Sequence, residues 1–236
     1  DVEVDFLGGK ANVSHAGAMF AVRCGCPIVV AVMRREHLEQ IADVLRGTDI
    51  LVLSDEIYGE LTYGGTSHVS IASLPDMWER TILVSGFSKA FAMTGWRLGY
   101  ACAPAPILKQ MLKLHQYAIM CAPTASQFAA VEAMRNGDDD VVVMRAEYNR
   151  RRRYIVGGLR SIGLDVFDPE GAFYVFPKLD VEKFNITNDK KFAFDLLHEK
   201  HIFIVPGSGF DWHTPDHFRI VMLPEPEEMA QAMRDI

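Results

Sequence analysis

The sequence predicts an α/β protein with a mainly parallel sheet flanked by helices, followed by a smaller C-terminal α+β domain. Apolar runs at 50–53, 81–84 and 98–103 have the length and composition of strands in such a sheet. Helical periodicity precedes the first run, and helical patterns follow the third. From about residue 161 the elements become short and alternate between strand and helix patterns, which is typical of a second, smaller domain.

These patterns divide the chain into three segments. Residues 1–30 are interrupted by glycines and receive no assignment, 31–150 form the large-domain portion, and 151–236 form the small domain. The apolar run at 16–33 has a composition similar to that of a membrane segment. It contains Arg23 near its centre and barely reaches spanning length, so we predict a buried strand and turn there.

The first clear element is a helix that leads into a strand. Four apolar side chains share one helical face, and Gly47 is placed to end the helix. These side chains are Leu38, Ile41, Ala42 and Leu45. The continuous run at 50–53 then predicts a strand buried on both faces. Asp55 follows at its carboxyl end, where ligands bind in open α/β sheets.

Helical patterns occupy the stretch after the third strand. A helix is expected beyond Pro104 and Pro106, through about Met120. A capping box at 124–127 opens a second helix that Asn136-Gly137 closes. A long amphipathic helix follows from Asp138 to about Leu159. Its four consecutive arginines, 150–153, point in different directions on a helix, so we expect them to be solvated.

Composition excludes several classes of function. The 236 residues include 24 basic and 31 acidic side chains, a net charge of -7, which argues against a nucleic-acid partner. Four scattered cysteines are too few for a disulfide framework, which predicts a cytoplasmic protein. Neither Cys24 and Cys26 nor His198 and His201 have the accompanying ligands of a metal site, so no metal is predicted.

The segment from Ser85 to Tyr100 has the strongest chemical pattern. Lys89 lies among small residues just past an apolar strand, where its amine can reach a planar group and form a Schiff base with an aldehyde. Arg97 opens the next strand, and a guanidinium can grip a phosphate through two parallel hydrogen bonds. An aldehyde and a phosphate on one ligand describe pyridoxal 5′-phosphate.

The stretch from Gly86 to Gly99 resembles the pyridoxal-lysine signature of the class I aminotransferases, which have fold type I. Segments 171–174, 205–207 and 218–220 are similar to segments at corresponding places in the same family. The resemblance implies that 31–150 belong to the fold type I large domain. It also implies a homodimeric enzyme that transfers an amino group between an amino acid and a 2-oxo acid by a ping-pong mechanism.

The resemblance assigns three residues to the cofactor ring. Lys89 would hold the cofactor as a Schiff base and then move the proton at the substrate α-carbon. Asp55 would pair with the pyridine nitrogen and keep it protonated. Tyr58 would donate its phenol hydrogen to the ring oxygen.

Four further residues are assigned to the phosphate and the substrate. Arg97 and Ser88, together with Ser85, would bind the phosphate. Arg219, inside an apolar strand, would bind the substrate α-carboxylate in bidentate geometry. An arginine in such a strand is costly unless it is paired, which favours a ligand role over a structural salt bridge.

The sequence departs from the family on the amino side. Family members are longer there and carry an Asn-Pro-Thr-Gly-like segment where this chain has Arg23 to Val30. The additional region supplies a phosphate loop, an aromatic that stacks on the pyridine ring and part of the dimer interface. One alternative is therefore a truncated chain without turnover, acting at most as a cofactor-binding or interaction module. Another is a related lyase or synthase that uses the same cofactor. The sequence does not indicate which amino acid is the substrate.

Overall fold

The computed structural model describes residues 2–6, 9–13, 34–65, 67–210 and 212–236. Two compact units are formed, one by 27–145 and the other by 1–26 together with 146–236. The sequence prediction places the division at 150, a few residues further along the same long helix. Within the described ranges, no helix is long and apolar enough to cross a membrane.

The first described elements are two short strands. Strand β1 (Val2–Phe6) pairs antiparallel with β2 (Gly9–Val13), with Val2 opposite Val13 and Phe6 opposite Gly9. The predicted strand and turn at 16–33 lie outside the described residues. The described part of the unassigned segment 1–30 is therefore an antiparallel pair of strands.

Helix α1 (Arg35–Leu45) confirms the predicted amphipathic helix. Its buried side chains are Leu38, Ala42 and Leu45, three of the four that the periodicity indicates. The helix ends before Gly47, whose φ of +77° lies in the left-handed region that glycine adopts without a Cβ clash. The Leu45 carbonyl at the helix end accepts from the Arg80 guanidinium at 2.8 Å and from the Thr48 N–H and hydroxyl.

A three-stranded sheet forms the centre of the unit 27–145. Strands β3 (Val52–Asp55), β4 (Thr81–Gly86) and β5 (Gly99–Cys102) lie side by side in that order. The first pair is parallel, while β5 runs antiparallel to β4. The α/β class is confirmed, but β5 differs from the mainly parallel order that the sequence predicts. The link between β4 and β5 contains no α-helix to carry the chain back across the sheet.

One face of β3 is open. Val52 and Ser54 are buried, whereas Leu53 is 61% exposed and Asp55 is also exposed. The prediction of a strand buried on both faces is therefore wrong for the described chain. The apolar run alone does not predict burial of both faces. Side chains of a strand alternate between its two faces, and the described residues cover only one face of β3.

Three helices follow the sheet. They are α2 (Ala105–Ala118), α3 (Thr124–Asn136) and α4 (Asp138–Ser161). The capping box predicted at the start of α3 is absent, because the N-cap is Pro123, which has no side-chain acceptor. Ser126 instead donates to the Trp96 carbonyl at 2.7 Å and ties α3 to the segment before β5. Gly137 closes α3 as predicted.

The second unit has its own small sheet. Strands β6 (Tyr174–Val175), β7 (Val205–Pro206) and β8 (Phe218–Val221) pair antiparallel with β8 in the middle. Helices α5 (Asp189–Lys200) and α6 (Pro226–Asp235) accompany them. This combination confirms the α+β character of the C-terminal part. Phe218 is 1% exposed and lies in the core of the unit.

The arginine run on α4 is not simply solvated. Arg152 is only 9% exposed, and its guanidinium donates to Asp168 at 2.5 Å. Arg151 donates to Glu147 and Glu225 from a side chain that is 14% exposed. The expectation of a solvated run is therefore wrong for these two residues. The carboxylates that pair with them are distant in sequence, except for Glu147, so the run alone did not indicate them.

Asp216 carries a pH-dependent part of the stability of this unit. Its carboxylate accepts hydrogen bonds from Trp212 Nε1 at 2.7 Å, His217 Nδ1 at 2.8 Å and the Thr214 hydroxyl. Burial acts to raise the pKa of Asp216, but the hydrogen bonds from Thr214, His217 and Trp212 outweigh it and lower the pKa to about 2. Since the folded pKa is depressed, the stabilisation is complete above pH of about 4 and is lost as the pH falls through about 2.

We therefore expect Asp216→Asn to lower the free energy of unfolding at pH 7 by about 1–3 kcal/mol. The difference from the unchanged chain should shrink as the pH falls below about 4. Urea denaturation at pH 7 and at pH 3 measures both quantities. Glu199→Gln, on the exposed side of α5, is the matched control and should change neither. An equal effect of Asp216→Asn at the two pH values would contradict the prediction.

Candidate active site

One end of each of the three strands of the large sheet lies at the same edge. Asp55 is the last residue of β3, and Lys89 comes three residues after β4 ends at Gly86. Because β3 and β4 are parallel, these two residues lie at the same edge. Arg97 precedes β5, and it reaches this edge because β5 is antiparallel. The direction of β5 therefore places Arg97 at the same edge as Lys89.

A hydrogen-bonded turn follows β3. The Asp55 carboxylate accepts the Ile57 backbone N–H at 3.1 Å, in an Asx turn. The Glu56 N–H donates to the Val84 carbonyl at 2.8 Å, which extends the β3–β4 pairing by one residue. The Leu61 N–H donates to the Tyr58 carbonyl at 2.9 Å. These bonds fix where Asp55 and Tyr58 stand relative to the strand end.

The structure brings Lys89 and Tyr58 together. The Lys89 Nζ lies 5.6 Å from the centroid of the Tyr58 ring, within the range of a cation–π contact. The two residues are far apart in sequence, and only the pairing of β3 with β4 makes them neighbours. An amine and a phenol are thus adjacent at the edge that also carries Asp55 and Arg97.

Buried apolar residues hold the lysine segment on both sides. Phe87 and Met93 are 5% and 8% exposed, and they pack with Ala130 of α3. The Phe91 and Met93 N–H groups both donate to the Phe87 carbonyl, which closes the segment into a compact turn. Sequence reasoning missed this anchor, although two large apolar residues six positions apart around a lysine are a visible signal.

The phosphate-binding candidates lie on the same segment. Thr94 Oγ1 donates to the Ser88 carbonyl at 2.8 Å, and Arg97 donates to the Thr94 carbonyl at 2.9 Å. Arg97 has a φ of +53°, in the left-handed region that a non-glycine residue rarely occupies. Such a conformation costs energy and is found where the surrounding structure enforces it, often at ligand-binding sites.

Ser85 is engaged differently from the other candidates. Its hydroxyl donates to the Glu56 carbonyl at 3.2 Å. Ser85 lies opposite Tyr100, on the face of the sheet opposite to the one that carries Asp55 and Val84. A cleft of about 520 Å³ lies on that opposite face and is lined by Ser85, Leu83 and Tyr100 among others. The cleft does not include Asp55, Tyr58, Lys89 or Arg97.

Arg219 belongs to the second unit, on β8. Its guanidinium carbon lies 4.5 Å from the Tyr174 ring centroid and 4.7 Å from the Phe210 ring centroid. The Arg219 Nε is buried and has no hydrogen-bond partner among the described residues. A buried donor without a partner is costly, so this nitrogen is suited to an acceptor supplied by a ligand.

The side chains at the sheet edge fit pyridoxal 5′-phosphate. An amine suits its aldehyde, a carboxylate and a phenol suit the ring, and a guanidinium suits its phosphate. An α/β fold with such a set at one strand edge is the arrangement of the fold type I pyridoxal-phosphate proteins.

Residues 31–236 match the family model described as aminotransferase class I and II, and the chain belongs to that family. Aminotransferases of this family depend on pyridoxal 5′-phosphate.

Individual relatives agree with the family assignment. A Bacillus subtilis protein named as an aminotransferase is 46% identical over 86% of this chain and 52% of its own length. The aspartate aminotransferase of Pyrococcus abyssi is 38% identical over 95% of this chain and 57% of its own length. The crystal structure of an aromatic aminotransferase from Pyrococcus horikoshii superposes with a TM-score of 0.80 at 40% identity, covering 87% of this chain and 55% of that one. This chain spans about half the length of the curated relatives it matches.

Proposed function

We propose that the chain carries the lysine-bearing part of a pyridoxal-phosphate-dependent aminotransferase site. The protein would transfer an amino group from an amino acid to a 2-oxo acid in a ping-pong sequence. The observation that carries this proposal is the placement of the Lys89 amine 5.6 Å from the Tyr58 ring, at the strand edge that Asp55 and Arg97 share. Membership of the aminotransferase family supports the reaction class.

Each residue at the edge has a chemical task. Bound pyridoxal phosphate supplies an electron sink for the charge that develops at the substrate α-carbon. Lys89 would hold the aldehyde of the cofactor, and its amine would remove and return the proton at the substrate α-carbon. Asp55 would keep a proton on the pyridine nitrogen through charge pairing, and Tyr58 would donate a hydrogen bond to the ring oxygen.

The phosphate would be held by Arg97 and Ser88. A guanidinium grips a phosphate with two parallel charge-assisted hydrogen bonds, and a hydroxyl adds a third donor. Ser85 is the weaker candidate for this role, because its hydroxyl donates to the Glu56 carbonyl and it lies on the face of the sheet opposite to Asp55.

Arg219 would bind the substrate α-carboxylate. Its guanidinium would supply a bidentate grip, while the rings of Tyr174 and Phe210 lie against the guanidinium and hold it in place. The unpartnered Nε supports this role. The substrate side chain stays open, because relatives carry the names of aspartate, aromatic-amino-acid and N-acetyl-diaminopimelate aminotransferases.

Two assembly properties belong to the same proposal. A homodimer is the expected state of the whole protein, and the cytoplasm is its expected location. Two other functions remain as alternatives, namely a chain that binds the cofactor without turnover and a lyase or synthase that uses the same site.

The test is borohydride reduction of the chain with added pyridoxal phosphate, followed by peptide mass mapping. We expect one covalent adduct, on Lys89, and an absorbance spectrum that changes when amino acids are added. Adducts spread over surface lysines would contradict the proposed site. A specific adduct on Lys89 with no response to any amino acid would favour the alternative without turnover.

A further inference from the structure

Glu56 is the most highly connected carboxylate near the strand edge. Its side chain is 8% exposed. One carboxylate oxygen accepts from the hydroxyls of Ser70 at 2.6 Å and Ser54 at 3.0 Å. The other accepts from His68 Nε2 at 2.8 Å. Glu56 directly follows Asp55, yet it has no part in the chemistry proposed above.

The backbone of Glu56 holds the turn that carries Asp55 and Tyr58. Its N–H pairs with the Val84 carbonyl at 2.8 Å. Its carbonyl accepts both the Gly59 N–H at 2.9 Å and the Ser85 hydroxyl at 3.2 Å. The residue is therefore bound through its backbone to the sheet and through its side chain to the segment around His68.

His68 packs directly against the turn. A Cβ on Gly59 would lie 3.0 Å from His68 Cδ2, so a larger residue there would push the ring by a few tenths of an ångström. The His68 side chain is 26% exposed, and its Nδ1 is buried without a hydrogen-bond partner among the described residues. This pattern fits the tautomer that carries its proton on Nε2 and donates it to Glu56.

Glu56 keeps its charge in this setting. Burial acts to raise its pKa, but hydrogen bonds from His68, Ser70 and Ser54 lower the pKa below its ordinary value. Hydrogen bonds to a carboxylate are stronger than those between neutral groups, so the cluster is a firm support for the turn.

We propose that Glu56 and His68 form a positioning pair that fixes the turn from Asp55 to Gly59, and through it the placement of Asp55 and Tyr58 toward the cofactor. The inference rests on the proposed function for its effect on the cofactor. Its structural half, the rigidity of the turn, stands independently. If Glu56 and His68 only stabilised the fold, their substitution would not change the binding of pyridoxal phosphate. This difference is the basis of the test.

The experiment compares four variants of the chain. His68→Ala and Glu56→Gln weaken the pair, and His68→Gln restores an N–H donor. Glu60→Gln, the control, changes an exposed carboxylate directly after the turn. Two readouts are taken for each, namely hydrogen exchange at the Ile57 and Gly59 amides without cofactor, and the titration of added pyridoxal phosphate by absorbance across pH.

For His68→Ala we expect faster exchange at both amides, since their acceptors belong to the turn. We also expect about tenfold weaker binding of pyridoxal phosphate, together with a shifted midpoint pH of its absorbance. Glu56→Gln should act in the same direction, His68→Gln should recover most of the loss, and Glu60→Gln should match the unchanged chain. Ser70→Ala removes the hydrogen bond that the hydroxyl donates to Glu56 and the one that it accepts from the Ala72 N–H, and it replaces His68→Ala if that variant does not fold.

The outcomes separate the two proposals. Unchanged amide exchange in His68→Ala and Glu56→Gln would overturn the positioning pair, whatever the cofactor does. Faster exchange with unchanged affinity and midpoint pH would also overturn it, by leaving only a structural role. If the unchanged chain binds no pyridoxal phosphate at all, the proposed function fails, and the exchange data still decide whether the pair holds the turn.

Discussion

Lys89→Ala is expected to abolish covalent capture of pyridoxal phosphate and to lower the transamination rate by about 10²–10⁴-fold. The variant removes both the amine that attaches the cofactor and the base that moves the α-carbon proton. The Phe87 and Met93 anchor is left in place, so the fold should persist. Borohydride reduction with mass mapping reports attachment, and a coupled assay of 2-oxo acid formation reports the rate.

Two companion variants make this result specific. Lys109→Ala removes an exposed lysine of α2 and should leave both measurements unchanged. Lys89→Arg keeps the positive charge near Tyr58 but cannot condense with an aldehyde at neutral pH, because its guanidinium stays protonated. It should therefore behave as Lys89→Ala does. Residual transamination at the unchanged rate in Lys89→Ala would show that another group carries the proton.

Arg219→Ala is expected to lower kcat/KM for the amino acid by roughly 10²-fold, without preventing attachment of the cofactor. The guanidinium is the proposed partner of the substrate carboxylate, and its loss leaves that charge without a bidentate donor. Arg219→Lys should recover only part of the loss, since an ammonium keeps the charge but not the planar fork. Steady-state kinetics with a series of amino acids measures the effect.

The control for this prediction comes from the same unit. Arg153→Ala removes an exposed arginine of α4 and makes the same change in net charge. It should leave kcat/KM unaltered. If Arg219→Ala lowers kcat/KM equally for a substrate that lacks the α-carboxylate, Arg219 acts through the fold. It would then hold Tyr174 and Phe210 in place and would not act through the carboxylate.

Local patterns predicted the helices and the chemistry better than the sheet. The spacing of Leu38, Ala42 and Leu45 was enough to place α1, because helical periodicity is a property of neighbouring residues. Lys89 and Arg97 were visible as candidates since their chemistry depends on residue type and spacing. That the edge also holds Tyr58 next to Lys89 follows from strand pairing.

Other features depend on contacts that a local pattern does not contain. The apolar run around Leu53 predicts burial on both faces, yet burial depends on what covers each face. The sequence at Thr124 predicts a helix cap, but in the structure Pro123 is the N-cap and Thr124 is the first residue of α3. The Glu56 cluster draws on His68 and Ser70 from a separate segment, and neither residue type signals such a pair alone.

The close approach of β4 and β5 limits how the lysine segment can vary during evolution. A Cβ on Gly86 would lie 2.9 Å from the Gly99 Cα and 3.0 Å from the Leu98 carbonyl oxygen, so the segment is closed at its base by backbone alone. A substitution within the segment changes a side chain but leaves the number of residues between β4 and β5 unchanged. Insertion or deletion of a single residue would either flip the faces of β5 or move Arg97 away from Lys89. Among functional proteins related to this chain, the number of residues between β4 and β5 should therefore vary far less than the identities of those residues.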